Sequence, residues 1–180
     1  MLPASISTAR LVLRQFRFAD ADDIFAYALD AEFARYLDTK RGGYTRRHAE
    51  RWVAKAQLLD WSSEPHWAME FNGAVVGGIA LRISVEHAHA QLTYELARPR
   101  WNAGLTTEAA RAVIDAAFDG LPNVRRVFAK ADLRNVGSWR VMEKVGMRRE
   151  GVVRGHRVHR GRPVDDAYYG LLRDEGQAVR

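Results

Sequence analysis

The sequence predicts a single mixed α/β domain (α+β class) in which helices flank a mostly antiparallel sheet. Two local patterns carry this prediction. Residues 67–71 and 75–83 form two apolar segments joined by Asn72-Gly73, which is a strong signal for an antiparallel hairpin. Further along, residues 91–97, a glycine-containing loop, a helical segment and residues 124–131 follow one another as in a βαβ unit, whose two strands are parallel.

Hydrophobic spacing and capping residues define the elements in chain order. Residues 10–16 alternate, with Leu11 and Leu13 on one face. Gly120 and Gly146 follow helical periodicity and are typical of helix C-termini. An Arg- and His-rich turn at residues 154–162 is expected to be solvated. The predicted strands are residues 10–16, 67–71, 75–83, 91–97, 124–131, 147–153 and 164–172, and the predicted helices run from Asp20 or Asp22 to about residue 29, from Thr45 to residue 59, from Thr106 to residue 118 and from Asn135 to residue 145.

Composition excludes several classes of site and partner. The chain has no cysteine, which excludes disulfides, thiolate metal sites and cysteine nucleophiles. Its net charge of +6 comes from scattered arginines, so stable nucleic-acid binding is not expected. His87 and His89 have no matching carboxylate cluster, and no metal is expected. Without a signal-type N-terminus or an apolar run of about 20 residues, a cytoplasmic protein with no membrane association is expected.

The loop at residues 101–109, with the sequence WNAGLTTEA, is the most informative segment. It connects a predicted strand to a predicted helix, and the unpaired N–H groups of a first helical turn carry partial positive charge that suits a pyrophosphate. The same sequence is also consistent with an ordinary strand-to-helix turn, in which Gly104 only supplies a positive φ. The loop alone leaves both interpretations open.

The loop and its surroundings resemble the GNAT N-acetyltransferases, whose acetyl-CoA loop reads Gln/Arg-x-x-Gly-x-Gly/Ala at the start of a helix. Here Gly104 stands at the glycine position, Trp101 replaces Gln/Arg and Thr106 replaces the last small residue. The run PRWNAGLTTEA, the pair Asn135 and Ser138, and the ends TARLVLRQF and REGVVRGHRVHRGRPVDDAYYGLL are similar to the ribosomal-protein-alanine acetyltransferase branch. The resemblance covers residues 8–173, the expected core of one domain spanning residues 1–180.

This resemblance implies a sheet that splays in the middle, between residues 91–97 and 124–131, with acetyl-CoA in the gap. Pantetheine would extend the sheet along Tyr94, Glu95 and Leu96, and backbone N–H groups near Leu96 would stabilise the oxyanion. The reaction would need no metal. The implied cofactor-binding residues are Tyr94, Leu96, Asn102, Ala103, Gly104, Leu105, Thr106, Thr107 and Asn135.

Acetyl transfer also requires proton acceptance from the amine and proton donation to the thiolate. Glu95 is the candidate base, with a solvated strand carboxylate as the alternative interpretation, and His156 and His159 rank below it. Many family members carry a tyrosine seven residues beyond the capping asparagine, where this chain has Met142. The resemblance therefore assigns the acid role to Ser138, for which a hydrogen bond to the helix backbone is an equal alternative.

We therefore expect an acetyl-CoA-dependent N-acetyltransferase that acts on a primary amine by direct attack in a ternary complex. The leading acceptor is a ribosomal or other protein N-terminus, because an α-amino group, with a pKa of about 7.7–8.0, needs less help than lysine at about 10.4. A small-molecule or antibiotic amine, and a non-catalytic acyl-CoA sensor, are the alternatives. The acceptor pocket is expected from residues 20–61 and 154–162, and both a monomer and a homodimer fit the sequence.

Overall fold

The structure is a computed structural model that describes residues 1–37 and 43–177. These ranges form an eight-stranded sheet in the order β1-β2-β3-β4-β5-β6-β8-β7, in which only β5 and β6 pair in parallel. The strands are β1 Ser5–Ser7, β2 Val12–Gln15, β3 His66–Phe71, β4 Ala74–Ser84, β5 His89–Leu96, β6 Arg126–Asp132, β7 Arg148–His159 and β8 Arg162–Leu172, and the helices are α1 Ala21–Ala28, α2 Arg46–Leu58, α3 Leu105–Gly120, α4 Val136–Lys144 and α5 Arg173–Gln177.

The first part of the sheet follows the sequence patterns closely. Leu11 and Leu13 are buried and Val12 between them is 38% exposed, as alternation predicts. The β3–β4 hairpin turns at Asn72 and Gly73, both of which have positive φ, as the favoured two-residue hairpin turns require. The short strand β1 was not predicted, because three residues are too few to show an alternating pattern.

Two layers of helices cover the two faces of the sheet. Helices α1 and α2 pack on one face, where Ile24 and Val53 meet Ala68 and Ala97 in a smaller core. Helices α3 and α4 pack on the other face in the main core. The side chains of any one strand therefore point alternately towards the α1–α2 layer and towards the α3–α4 layer.

The parallel pair β5–β6 separates partway along its length. Pairing is confined to His89 with Arg126, Ala90 with Val127 and Gln91 with Phe128, whereas β5 continues to Leu96 and β6 to Asp132. Beyond Gln91, the backbone groups of β5 that face β6 have no ladder partner. The sheet thus opens into a gap at this point.

The turn predicted at residues 154–162 is shorter than expected, whereas the expected solvent exposure is confirmed for most of these residues. Strands β7 and β8 extend through most of the stretch and turn only at Arg160 and Gly161, with a register shift between Val153 and Arg157. His159 is the exception, with an exposure of only 6%. Arg157 is partly covered, because it pairs at 3.2 Å with the buried carboxylate of Asp166 on β8.

Candidate active site

A cleft of about 540 Å³ opens at the gap in the sheet. Its walls come from the C-terminal half of β5, the start of α3, the helix α4 and the segment 32–37. Of the predicted site residues, only Ala103 does not line the cleft. The lining includes Tyr94, Glu95, Leu96, Asn102, Gly104, Leu105, Thr106, Thr107, Asn135 and Ser138.

The conformation of the loop requires a glycine at position 104. Gly104 has a φ of +77°, a left-handed conformation that favours glycine, and it precedes the first residue of α3. The side chains of Leu105 and Thr106 are buried, so this first turn presents mainly backbone N–H groups to the cleft. The turn is structurally required, and it also places the positive end of the α3 dipole at the cleft.

A distant N-terminal residue fixes the conformation of this loop. Arg10 donates a hydrogen bond from Nη1 to the carbonyl oxygen of Ala103 at 2.9 Å and forms an ion pair with Glu108 at 2.7 Å. Thr8 also donates to Glu108, at 2.6 Å. Burial raises the pKa of Glu108, but the hydrogen bonds from Thr8 and Arg10 outweigh it and the pKa is lowered. Ala103 therefore contributes to the loop through its carbonyl oxygen, which binds Arg10, and it does not line the cleft.

Tyr94 bridges the gap from β5 to α4. Its hydroxyl donates to the carbonyl oxygen of Ser138 at 2.7 Å and accepts a hydrogen bond from Ser138 Oγ at 3.2 Å. Asn135 is the N-cap of α4, and its Oδ1 accepts from the backbone N–H of Ser138 at 3.3 Å. The Ser138 hydroxyl therefore lies in the cleft on a rigid first turn, next to β5. Met142 is buried in the core, so it has no acid role.

Glu95 points to the opposite face of β5, towards α1 and α2. It pairs across the sheet with Gly78, and burial raises the pKa of its carboxyl to about 7. Burial likewise lowers the pKa of the nearby His66 to about 4, so this imidazole is neutral at physiological pH. A carboxyl that titrates near neutrality at the edge of a cleft is suited to accepting a proton.

The two lower-ranked histidines do not line this cleft. The ring of His159 contacts the carbonyl oxygen of Arg35 at 2.9 Å, and the His156 ring contacts Lys130 and Tyr168 at 2.9 and 3.0 Å. His156 thus contacts side chains of the neighbouring strands β6 and β8, and His159 contacts the segment 32–37. Of the three candidates for the base, Glu95, His156 and His159, Glu95 is thus the one that lines the cleft.

The segment 32–37 forms the acceptor-side wall and is tied to the rest of the fold. Tyr36 donates to the carbonyl oxygen of Arg134 at 3.1 Å, and Arg160 donates to that of Ala34 at 2.6 Å. Of the two segments expected to build the acceptor pocket, residues 20–61 contribute this wall, and residues 38–42 within them lie outside the described residues. Residues 154–162 support the wall from behind instead of lining the cleft.

The rim of the cleft is mainly basic. Arg35, Arg134, Arg140 and Lys144 line it. Arg134 is held by the buried carboxylate of Asp132 at 2.6 Å, which fixes one of these positive charges at the mouth. Such a rim favours phosphate or carboxylate groups over polycations.

Residues 1–37 and 43–177 contain no group of three or more His, Cys, Asp or Glu side chains arranged to hold a metal ion. No helix in these ranges is long and apolar enough to cross a membrane.

Comparison with known proteins adds the family. The model of the acetyltransferase (GNAT) domain matches residues 10–148. The uncharacterized N-acetyltransferase YnaD of Bacillus subtilis is 30% identical over 94% of this chain and 98% of its own length. A GNAT acetyltransferase structure from Bacillus anthracis aligns with a TM-score of 0.82 at 26% identity, over 94% of this chain and 99% of that one.

A more distant structure contains a ligand of the expected type. Mycobacterium smegmatis RimJ, solved in complex with CoA-disulfide, aligns with a TM-score of 0.84 over 96% of this chain and 89% of its own. Its 20% identity shows the shared fold alone. The domain match and the full-length Bacillus relative are sufficient for assignment. The chain belongs to the GNAT acetyltransferase family and is an N-acetyltransferase.

Proposed function

We propose that the protein transfers the acetyl group of acetyl-CoA to a primary amine, with a protein N-terminus as the acceptor. The observation that carries the donor proposal is the gap itself. Pairing of β5 with β6 ends at Gln91, so the backbone of β5 that faces the gap has no ladder partner on β6 where Tyr94, Glu95 and Leu96 line the cleft. An extended chain bearing amides, such as pantetheine, complements an edge of this kind.

The remaining parts of the cleft fit the rest of acetyl-CoA. The pyrophosphate suits the backbone N–H groups of Gly104, Leu105, Thr106 and Thr107, and Asn102 and Asn135 offer polar side chains beside them. Arg140 and Lys144 lie on the adjacent wall and suit a further phosphate. Acetyl-CoA supplies the acetyl thioester, so the chain itself needs only binding groups, an acid and a base.

The residues at the gap can move the protons that acetyl transfer requires. The amine nitrogen loses a proton to the Glu95 carboxylate and forms the new N–C bond, while backbone N–H groups near Leu96 stabilise the charge on the carbonyl oxygen. As the C–S bond breaks, the sulfur takes the hydroxyl proton of Ser138, and the proton held by Glu95 returns to Ser138 through solvent, which restores both groups. Tyr94 supports this role, because its hydroxyl accepts from Ser138 Oγ and holds that side chain in the cleft.

The acceptor proposal rests on the resemblance to the ribosomal-protein-alanine branch, on the fold shared with RimJ and on charge. With a net charge of +6 and a basic rim, the protein repels spermidine-like and aminoglycoside polycations. An N-terminal α-amine has a pKa of about 7.7–8.0 and is matched to a base that titrates at about 7. A lysine side chain, at about 10.4, is a poorer match.

A thiol-release assay with a panel of amines tests the proposal. The full chain is incubated with acetyl-CoA and either peptides with free N-terminal Ala or Ser, a lysine peptide with a blocked N-terminus, spermidine, an aminoglycoside or small neutral amines. We expect release with the free N-terminal peptides and an acetyl group located on their α-nitrogen by mass spectrometry. Release with the small amines alone would move the assignment to a small-molecule acetyltransferase. Acetyl-CoA binding with no release from any amine would indicate a sensor.

A further inference from the structure

Three polar side chains from three strands converge at one point on the surface of the sheet. Lys130 Nζ on β6 lies 2.9 Å from Nε2 of His156 on β7, and the Tyr168 hydroxyl on β8 lies 3.0 Å from the same nitrogen. The Lys130 ammonium also lies 5.6 Å from the centre of the Tyr168 ring. All three side chains keep some exposure to solvent, so a ligand can reach them. We call Lys130, His156 and Tyr168 the tripod.

The hydrogen bonds within the tripod cannot satisfy all of its members. A lysine ammonium has three donor protons and no acceptor, whereas an imidazole nitrogen without a proton accepts one hydrogen bond. Lys130 and Tyr168 therefore compete for a single lone pair on His156. The competition leaves donor protons without an acceptor. A carboxylate has two negatively charged oxygens and would supply the acceptors that are missing.

The carboxylates of the same strands do not fill this need, because each is already paired with an arginine. The three pairs are Asp132 with Arg134, Asp166 with Arg157 and Glu150 with Arg126. The Asp166 carboxylate comes within 4.0 Å of Nε2 of His156, but Arg157 holds it at 3.2 Å. Within residues 1–37 and 43–177, Lys130 forms no ion pair with a carboxylate. A positive charge without a counter-ion thus remains at the tripod.

The tripod lies on the same face of the sheet as Glu95. The rings of His89 on β5 and Phe128 on β6 are in contact, with 5.1 Å between centroids, so these two side chains share a face. Glu95 follows His89 by six residues and Lys130 follows Phe128 by two. An even spacing keeps a strand residue on the same face. Glu95 and Lys130 therefore face the same side from the two strands that border the gap.

The spacing between Lys130 and Glu95 selects the kind of acceptor. Gln91 and Phe128 form the last pair between the two strands, so Glu95 is four residues beyond that pair and Lys130 is two. At about 3.3 Å per residue along the strands and about 4.8 Å or more across them, the two backbone positions lie about 8 Å or more apart. The carboxylate of a free amino acid is too close to its own amine to span this distance. An extended peptide advances about 3.5 Å per residue, so the side chain of its second or third residue reaches the tripod.

We propose that the tripod binds a side-chain carboxylate of the second or third residue of the acceptor, so that the enzyme selects proteins with acidic N-terminal segments. This inference rests on the proposed function, in which the N-terminal amine lies at Glu95. Lys130 donates its free protons to one carboxylate oxygen, and Tyr168 leaves His156 to donate to the other. The net charge of +6 attracts the same acidic segment at longer range.

The test compares two peptides with a free N-terminal serine, one with glutamate and the other with glutamine at positions 2 and 3. We expect kcat/KM of the wild type to be about tenfold higher for the glutamate peptide, because hydrogen bonds to a charged group are stronger than those to a neutral one. In Lys130→Met this ratio is expected to fall to near one. Lys55→Met is the matched control, because it removes the same charge from the exposed surface of α2 and is expected to keep the ratio.

Binding is measured separately by NMR of the His156 ring. The glutamate peptide is expected to shift these resonances in the wild type and in Lys55→Met, but not in Lys130→Met. Equal ratios in the wild type and Lys130→Met, or His156 resonances that the peptide does not move, would overturn the inference. Acetylation of both peptides at the same rate would refute the tripod alone and leave the proposed function standing. The NMR titration needs no turnover, so it decides the carboxylate site even if neither peptide is acetylated.

Discussion

Replacing Glu95 with Gln keeps the shape of the side chain and removes its ionisation. Burial raises the pKa of Glu95 from its ordinary value of 4.5 to about 7. At pH values between these two pKa values, Glu95 is mostly protonated in the folded chain and mostly ionised in the unfolded chain. The stability of the wild type therefore falls as pH rises from about 4.5 to about 7, and this loss is complete above that window.

The size of the effect follows from the same interval. At about 1.4 kcal/mol per pH unit, the distance between the two pKa values corresponds to about 3 kcal/mol. The side chain is half-buried, so solvent screening reduces this to about 2–3 kcal/mol. The glutamine of Glu95→Gln is never charged, so the stability of this variant does not fall over this pH range. We expect it to match the wild type at pH 4 and to exceed it by that amount at pH 8, or by roughly 5–10 °C in melting temperature.

Chemical unfolding of both proteins from pH 4 to pH 8 measures this difference, and the same samples report acetyl transfer, which Glu95→Gln is expected to lose. Glu108→Gln is the matched control, because hydrogen bonds from Thr8 and Arg10 lower the pKa of Glu108 and give its pH dependence the opposite sign. If the stability of the wild type and that of Glu95→Gln changed in parallel across this pH range, the raised pKa of Glu95 would be refuted. The assignment of Glu95 as the base would fall with it.

Two further substitutions test the rest of the cleft. Gly104→Arg forces an arginine into a φ of +77° at the start of α3 and adds bulk at the proposed pyrophosphate position. Calorimetry is expected to show at least a tenfold loss of acetyl-CoA affinity, and an unchanged affinity would contradict the loop assignment. Ser138→Ala removes the hydroxyl that bonds to Tyr94. Steady-state kinetics are expected to show a kcat about 10²-fold lower than that of the wild type, with little change in the KM for acetyl-CoA. A kcat equal to that of the wild type would exclude Ser138 from proton transfer.

Features encoded by neighbouring residues were predictable from the sequence. The Asn72-Gly73 hairpin, the caps at Thr45 and Asn135 and the glycine loop depend on conformations set within a few residues, and each is confirmed in the structure. Trp101 could be placed in the loop but its contact could not: its indole N–H donates to the carbonyl oxygen of Leu96 at 2.7 Å and secures the end of β5. The direction of that side chain depends on the path of the whole turn.

Features that depend on pairs distant in sequence were not predictable. Arg10 and Glu108 are 98 residues apart, and Tyr94 and Ser138 are 44 residues apart. Only the order and twist of the strands bring them together, and neither follows from local periodicity. The extension of β7 and β8 through the basic stretch before Arg162 could not be predicted for the same reason, because the partners of Arg157 lie on neighbouring strands that the pattern could not identify.

The carboxyl of Glu95 supports a functional interpretation of the gap. Most buried polar groups in a folded chain are paired, because an unpaired one costs about 1–3 kcal/mol. Burial raises the pKa of Glu95 to about 7, so its ionised form is destabilised where β5 borders the gap. Packing alone would favour glutamine at this position, since glutamine is never charged. A cost concentrated at the opening of the sheet, where the acceptor meets the donor, is expected when proton transfer and not stability determines the residue.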